Sequence, residues 1–359
     1  MNSDKLALAL LATVDGFSPK KRMAVLQALN GQPGILITDT DHALSLLDGT
    51  LTDKALIALK AAISQDKQQF LQRLDALNID VLTILDSDYP ECLMDIAEPP
   101  VVLFCIGDKN LLNGNNIAVI GSRYSTTAAI RHAETFAKSF AQGGLNVVSG
   151  LARGIDSTGQ RASMGAGGKV IAVLGSGIDV VYPAESKELY DDICTRGLVV
   201  SEYAPGTPPH HYQFPERNRI ISALSRAVVV IEAGEKSGAL ITANIAVEQG
   251  KDVFVLPSSV DCRSGRGGNA FIKEYPTSFI TEPEDVFAAL NMDAPITEKA
   301  DMALSAMEER IVSALGNGPK HFDELLEISQ LNSNNLNSLL AKLEISGIII
   351  KLSGNEFSL

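Results

Sequence analysis

From Asp80 to about Leu256 the chain breaks into short apolar runs separated by stretches of helical spacing. The runs are Val81–Leu85, Val102–Ile106, Ile117–Ile120, Asn146–Val148, Val170–Leu174, Leu198–Ser201, Ala227–Ile231 and Val253–Leu256. They are rich in β-branched residues and do not alternate with polar ones, the pattern of strands buried on both faces. Ala128–Gln142, Asp156–Ala166, Glu185–Arg196 and Leu240–Gln249 carry helical periodicity between them. This alternation predicts right-handed crossovers and an α/β fold with a doubly wound, mostly parallel sheet. Ligands of such sheets bind outside the carboxyl ends of the strands.

The flanks follow other patterns. Leu6, Leu8, Leu10 and Leu11 open one short helix, Pro19-Lys20-Lys21-Arg22 starts another, and Asp39-Thr40-Asp41-His42-Ala43 caps a third. An amphipathic helix then runs from about Thr52 to Leu74. We expect a small SAM/HhH-like helical domain over 1–74, the α/β domain over 75–290 and a polar, proline-containing linker over 291–300. Over 301–359, Ala303–Leu315, Phe322–Ile328 and Asn334–Ser346 read as three helices. Gly347–Lys351 and Glu356–Ser358 read as a terminal β-wing, which completes a winged-helix pattern. The third helix of such a domain often enters DNA. Here it offers Lys342 alone against Glu344, which favours contact with a protein.

Charge sharpens this division. The net charge of -13 comprises nine basic and 15 acidic residues in 1–114, 16 and 15 in 115–275, and five and 13 in 276–359. Only the middle segment does not strongly repel a polyanion, and association follows the local patch rather than the total. No apolar run approaches the ~20 residues that cross a bilayer, so no membrane is expected. The start, Met1-Asn2-Ser3-Asp4-Lys5, lacks a secretory pattern. Cys92, Cys105, Cys194 and Cys262 are far apart, and His210-His211 has no second ligand cluster. Neither a metal, a cofactor nor a disulfide framework is expected, and a reducing cytoplasm is the simplest location.

Glycine- or serine-rich turns follow the strands. Gly121-Ser122-Arg123 combines exposed backbone N–H groups with a bidentate cation, the makings of an anion site; a plain strand–helix turn is the alternative. Ser149-Gly150-Leu151-Ala152-Arg153-Gly154-Ile155-Asp156 repeats the combination, with Asp156 placed to cap a helix or hold an arginine. Gly175-Ser176-Gly177 is a weaker signal, since a tight turn explains it equally. Lys169 opens the strand leading to it and so lies at that strand's opposite end. Lys236-Ser237-Gly238 precedes a helix that carries Thr242 one turn inside. Arg263-Ser264-Gly265-Arg266-Gly267-Gly268-Asn269 reads as a flexible basic loop.

The octet Phe214-Pro215-Glu216-Arg217-Asn218-Arg219-Ile220-Ile221 is the most concentrated signal. It sets two guanidinium groups and an amide beside an aromatic ring, inside an apolar segment. Arginine is rarely buried unpaired, so a bound anion or internal mates are both open; Glu216, Glu232 and Asp156 are the possible mates. No nucleotide-triphosphate, dinucleotide or serine-hydrolase loop is present. The turns suit holding phosphates rather than breaking bonds.

Taken in order, Ala118-Val119-Ile120-Gly121-Ser122-Arg123, Val148-Ser149-Gly150-Leu151-Ala152-Arg153-Gly154-Ile155-Asp156, Tyr182-Pro183, Ser201-Glu202, Phe214–Arg219 and Ser237-Gly238-Ala239-Leu240-Ile241-Thr242-Ala243 resemble the DprA/Smf family, the DNA-processing proteins of natural transformation. The resemblance covers about residues 75–275. It implies an extended Rossmann-like fold that binds single-stranded DNA without cleaving it. It also implies a homodimer that loads RecA recombinase and displaces single-strand-binding protein. Carried over, Gly121, Ser122 and Arg123 grip phosphates, Lys169 and Arg217-Asn218-Arg219 assist, and Phe214 stacks a base. The pattern departs from the family at Gly159-Gln160, Pro257-Ser258 and Tyr275-Pro276. The competing reading is a phosphoribohydrolase-like enzyme on the same fold, with Glu232 or Glu248 as its acid. This sequence lacks the Pro-Gly-Gly-x-Gly-Thr loop of those enzymes.

Overall fold

A computed structural model describes residues 1–295, 304–316, 318–345, 348–352 and 354–359. Met1–Pro295 form one compact unit and residues 296–359 a second. The expected linker over 291–300 lies, beyond residue 295, outside the described residues.

In the first unit one sheet contains β1 (Asp80–Thr83), β2 (Val102–Gly107), β3 (Asn116–Ile120), β4 (Asn146–Ser149), β5 (Val170–Leu174), β6 (Leu198–Ser201), β7 (Ala227–Val230) and β8 (Asp252–Val255). Their order is β1-β2-β6-β5-β4-β3-β7-β8. The strands from β6 to β8 are mutually parallel, while β2 is antiparallel to both β6 and β1. Each apolar run read from the sequence is a strand here. Successive side chains serve opposite faces: Ile117 and Val119 enter one core with Phe136 and Phe140, Ala118 and Ile120 the other with Ile220 and Ile221. Burial on both faces is why these runs show no alternation.

The N-terminal helices are α1 (Ser3–Leu11), α2 (Pro19–Ala28), α3 (Ile35–Thr38), α4 (Thr40–Leu46), α5 (Asp53–Ile63) and α6 (Lys67–Ala76). Their apolar side chains join the same core as one face of the sheet, so the segments 1–74 and 75–290 pack as a single unit. The sheet is covered further by α7 (Glu91–Met94), α8 (Thr127–Gln142), α9 (Ile155–Gly165), α10 (Lys187–Arg196), α11 (Gln213–Ala223), α12 (Gly238–Glu248), α13 (Arg266–Glu274) and α14 (Pro283–Ala289). One expectation needs correction. Residues Arg263–Asn269 are not a flexible loop but a short 3-10 turn running into α13. Gly267 and Gly268 are buried there, and a Cβ on Gly267 would lie 2.4 Å from the Gly234 carbonyl, so close packing explains these glycines.

The second unit holds α15 (Ala306–Leu315), β9 (Lys320–His321), α16 (Phe322–Ser329), α17 (Ser333–Ile345), β10 (Ile350–Lys351) and β11 (Glu356–Ser358). The strands pair in the order β10-β11-β9. Ile311, Leu325, Leu336, Leu340, Leu343 and Phe357 close its core. This is the expected winged helix, with β9 the piece too short to read from the pattern.

Candidate nucleic-acid interface

The winding of the sheet turns back at β3, with β4, β5 and β6 on one side and β7 and β8 on the other. A crevice opens outside the carboxyl ends of β3 and β7, where doubly wound sheets bind ligands. Its floor is fixed by backbone. Ser122 N donates to the Glu232 carbonyl at 2.8 Å, tying the turn after β3 to the end of β7. The buried Glu232 carboxylate accepts from Thr126 N (3.2 Å) and Thr126 Oγ1 (2.7 Å), while Thr126 Oγ1 accepts from Ala129 N and caps α8. Gly154 adopts φ 74°, and a Cβ there would stand 2.3 Å from the Ser122 carbonyl. Only glycine lets these two turns touch, which brings the starts of α8 and α9 side by side. The start of α12, capped by Ser237, faces the same cleft.

The resulting cleft has a volume of about 650 Å³ and is lined by Gly121, Ser122, Arg123, Asp156, Phe214, Arg217, Asn218, Lys236, Ser237, Gly238 and Thr242 among others. Arg123 and Lys236 are exposed and make no ion pair among the described residues. The Arg123 guanidinium carbon sits 5.4 Å from the Phe214 ring centroid, within cation–π range. Phe214 in turn packs on Tyr182 at 5.5 Å between centroids. Beneath the ring, a Cβ on Gly175 would come to 2.8 Å of Phe214 Cδ1. Gly175 is therefore clearance for the aromatic ring.

The two arginines of the octet do different work. Arg217 is 4% exposed and donates through Nη1 to the carbonyls of Gly150 (3.0 Å) and Val173, at the ends of β4 and β5. Gly150 makes room for it, since a Cβ would lie 2.5 Å from its Nη2. Burial pulls the Arg217 pKa down to about 10, against the attraction of Asp156. Burial likewise raises Asp156, which Arg217 and the Gly150 amide partly offset. Arg219 turns away from the cleft. Its Nη2 makes a bidentate pair with Glu202 at 2.9 Å to each oxygen, and its Nε donates to the Glu98 carbonyl. Glu202 also faces Arg22 of α2 at 3.6 Å. Internal mates, not a ligand, account for Arg219. The mate is Glu202, which the sequence reading had not considered.

Other expected site residues also lie outside the cleft. Lys169 is at the opposite end of β5, where its Nζ donates to the Arg196 carbonyl at 3.1 Å. Arg153 is exposed but bound to Glu185, with Nη2 at 2.6 Å from Oε2. The Ser149 hydroxyl is buried and donates to the Val119 carbonyl at 2.7 Å. Gly177 is buried, and its amide is used by the Thr207 carbonyl at 2.8 Å. Arg263 and Arg266 are exposed, yet only Ser264 from their segment lines the cleft. Conversely, Tyr124 and His211 line it and were missed. Tyr124 is 82% exposed, and an aromatic ring immediately after Gly121-Ser122-Arg123 was the available signal.

Residues 80–291 match the family described as DNA recombination-mediator protein A, and residues 295–355 match the DprA winged helix domain. The chain belongs to this family of recombination mediators. It is 36% identical to the DNA processing protein DprA of Bacillus subtilis over 259 residues, 70% of this chain and 87% of that one. Identity to DprA of Streptococcus pneumoniae is 42% over 206 residues, 57% of this chain and 72% of that one. Protein Smf of Synechocystis is 42% identical over 203 residues, 55% of this chain, and the match spans about half (51%) of the Synechocystis protein. The solved DprA of S. pneumoniae has a TM-score of 0.68 at 33% identity, covering 80% of this chain and 98% of that one. A structure of DNA processing protein A from Helicobacter pylori, solved for its single-stranded DNA binding mode, has a TM-score of 0.54 at 28% identity, covering 59% of this chain and 95% of that one.

In this DprA-family chain the departures at 159–160, 257–258 and 275–276 are framework. Gln160 is buried and donates to the Ile171 carbonyl at 3.1 Å, Ser258 N donates to Asn269, and Tyr275 packs on Phe271. None of them lines the cleft. Glu248, at the far end of α12, does not line it either.

Proposed function

We propose that this recombination mediator holds single-stranded DNA in the cleft between β3 and β7 without cleaving it. The strand is then delivered to RecA recombinase as single-strand-binding protein is displaced, with the mediator acting as a cytoplasmic homodimer. The observation that carries the reading is the cleft itself. Arg123 and Lys236, with no ion pair among the described residues, stand beside the starts of three helices, next to a half-buried phenylalanine. Phosphates suit the first two features. An unstacked base suits the ring, and a duplex offers no free base face to it. A non-enzymatic role fits the acids at hand. Of the lining residues only Asp156 is acidic, and it lies buried under Arg217; Glu232 is taken up by Thr126.

A salt-titrated gel shift with single- and double-stranded DNA of one length tests this. Single strands are expected to bind at least ~10-fold tighter, regardless of sequence, and to weaken steeply with salt. Equal affinity for both forms, or binding indifferent to salt, overturns the assignment.

A further inference from the structure

The aromatic rings around the cleft are not equally free. Phe214 is half-buried, with the Arg123 guanidinium over it at 5.4 Å and Tyr182 packed on it at 5.5 Å. Tyr182 is 46% exposed and does not line the cleft. Tyr124 does line it, at 82% exposure. Its ring packs on no other ring, and its hydroxyl makes no hydrogen bond, among the described residues.

Neither packing nor a loose chain accounts for this ring. Ser122 Oγ donates to the Tyr124 carbonyl at 2.9 Å and accepts from Tyr124 N at 3.1 Å, so one serine closes the turn from both sides. Ser125 Oγ donates to the Ser122 carbonyl at 2.7 Å, and Ser122 N is tied to the Glu232 carbonyl at the end of β7. Arg123 and Tyr124 are thus carried at the tip of a pinned turn. A ring on a fixed backbone meets a flat partner at small conformational cost, since only its two side-chain torsions remain to be set. The charge beside it has the right sign for a nucleotide: Arg123 is exposed and without an ion pair among the described residues. On the other side lies Arg153, held above its ordinary pKa first by Glu185, with the Tyr124 and Tyr182 hydroxyls near enough to add to it. Tyr124 therefore stands where the cleft opens towards Tyr182. A single exposed ring is ordinary on a protein surface. Here it is joined to a fixed turn, an adjacent cation and a cleft, and cation beside ring is the pairing that a phosphate and its base require.

We infer that Tyr124 is a second stacking ring of the cleft: with a phosphate on Arg123, one base is served by Phe214 and its neighbour along the strand stacks on Tyr124. This rests on the reading of the cleft as a strand site and deepens it. Phe214, already flanked by Arg123 and Tyr182, has little free face, so Tyr124 supplies most of the open aromatic surface that a base can cover. Recognition is then of any unpaired base, because every base has a π-face.

The test uses the full chain and two strands of one length, about 20 nucleotides. One is oligothymidylate, and the other is the same sugar-phosphate chain without bases. Tyr124→Ala is expected to weaken oligothymidylate binding about 10-fold, the value of one lost stack, with an unchanged salt slope because no phosphate contact is removed. Binding of the abasic strand, measured at low salt, is expected to stay at the wild-type level. Tyr124→Phe keeps the ring and should bind oligothymidylate as the wild type does. At such exposure the alanine variant should also keep the wild-type melting temperature. Unaltered oligothymidylate affinity in Tyr124→Ala, an equal loss on both strands, or failure of Tyr124→Phe to restore binding overturns the stacking role while the cleft reading stands. If the wild type binds neither strand, the cleft reading itself falls and takes this inference with it.

Discussion

Arg217 and Arg219 lie two residues apart on α11, which turns them about 200° from one another around the helix. Arg217 therefore reaches the strand ends under the cleft while Arg219 reaches Glu202 on the other side. The octet announced a concentration of cations and an aromatic ring, and both are present. Their directions were legible too, had the helical period been applied to the octet itself. The partner was less so, because Glu202 is close in space through the end of β6 and not through any local spacing. Glu202 also holds Arg22, so one buried carboxylate serves two guanidinium groups. Removing one partner of a buried pair leaves uncompensated charge, which destabilises by about 3–5 kcal/mol. Glu202→Gln is thus expected to lower the melting temperature of the first unit sharply, measured by calorimetry. A melting temperature within a degree or two of wild type would show that the pairs contribute little.

At the scale of elements, the strands and most of the covering helices were readable because burial on both faces leaves uninterrupted β-branched runs. The turns after β3 and β4 were readable as glycine-rich. What the pattern does not distinguish is a glycine that opens an amide to a ligand from one that makes room for a neighbour. Gly238 lies open at the cleft, and Gly121 lies there but also makes way for Ile155, as Gly150 and Gly175 make way for Arg217 and Phe214. The winged helix repeats the lesson with charge. Lys342, the basic residue of α17, is bound to Glu308 at 2.7 Å. This leaves the helix little with which to grip phosphates. Hydrogen bonds from Lys342 and from the Ser305 amide hold Glu308 down at about 2, below the ordinary 4.5. The stabilisation is complete above the ordinary value and is lost as pH falls from there towards 2. The second unit should accordingly melt lower near pH 3 than near pH 6, and Lys342→Ala should shrink that difference without altering DNA affinity. An identical pH profile in the variant would discount the Glu308–Lys342 contact.

Across the whole molecule, the sheet has two edges, and the proposed strand site takes the carboxyl one. At the carboxyl edge, Arg123 and Lys236 flank the starts of α8, α9 and α12 over a floor tied together by Glu232. At the amino edge, Lys169 sits on the Arg196 carbonyl among strand beginnings. By sequence, residues 1–114 and 276–359 are net acidic, so the middle of the chain repels a polyanion least. The choice of edge is the central claim, and it separates the residues carried over by resemblance from those brought together by the fold. Single-strand affinity of Arg123→Glu and Lys169→Glu, measured side by side at one salt concentration, decides it. Arg123→Glu should bind roughly 10- to 100-fold more weakly, the value of a lost charge-assisted contact, and Lys169→Glu within about twofold of wild type. Equal losses in the two variants, or a larger loss in Lys169→Glu, would contradict the account.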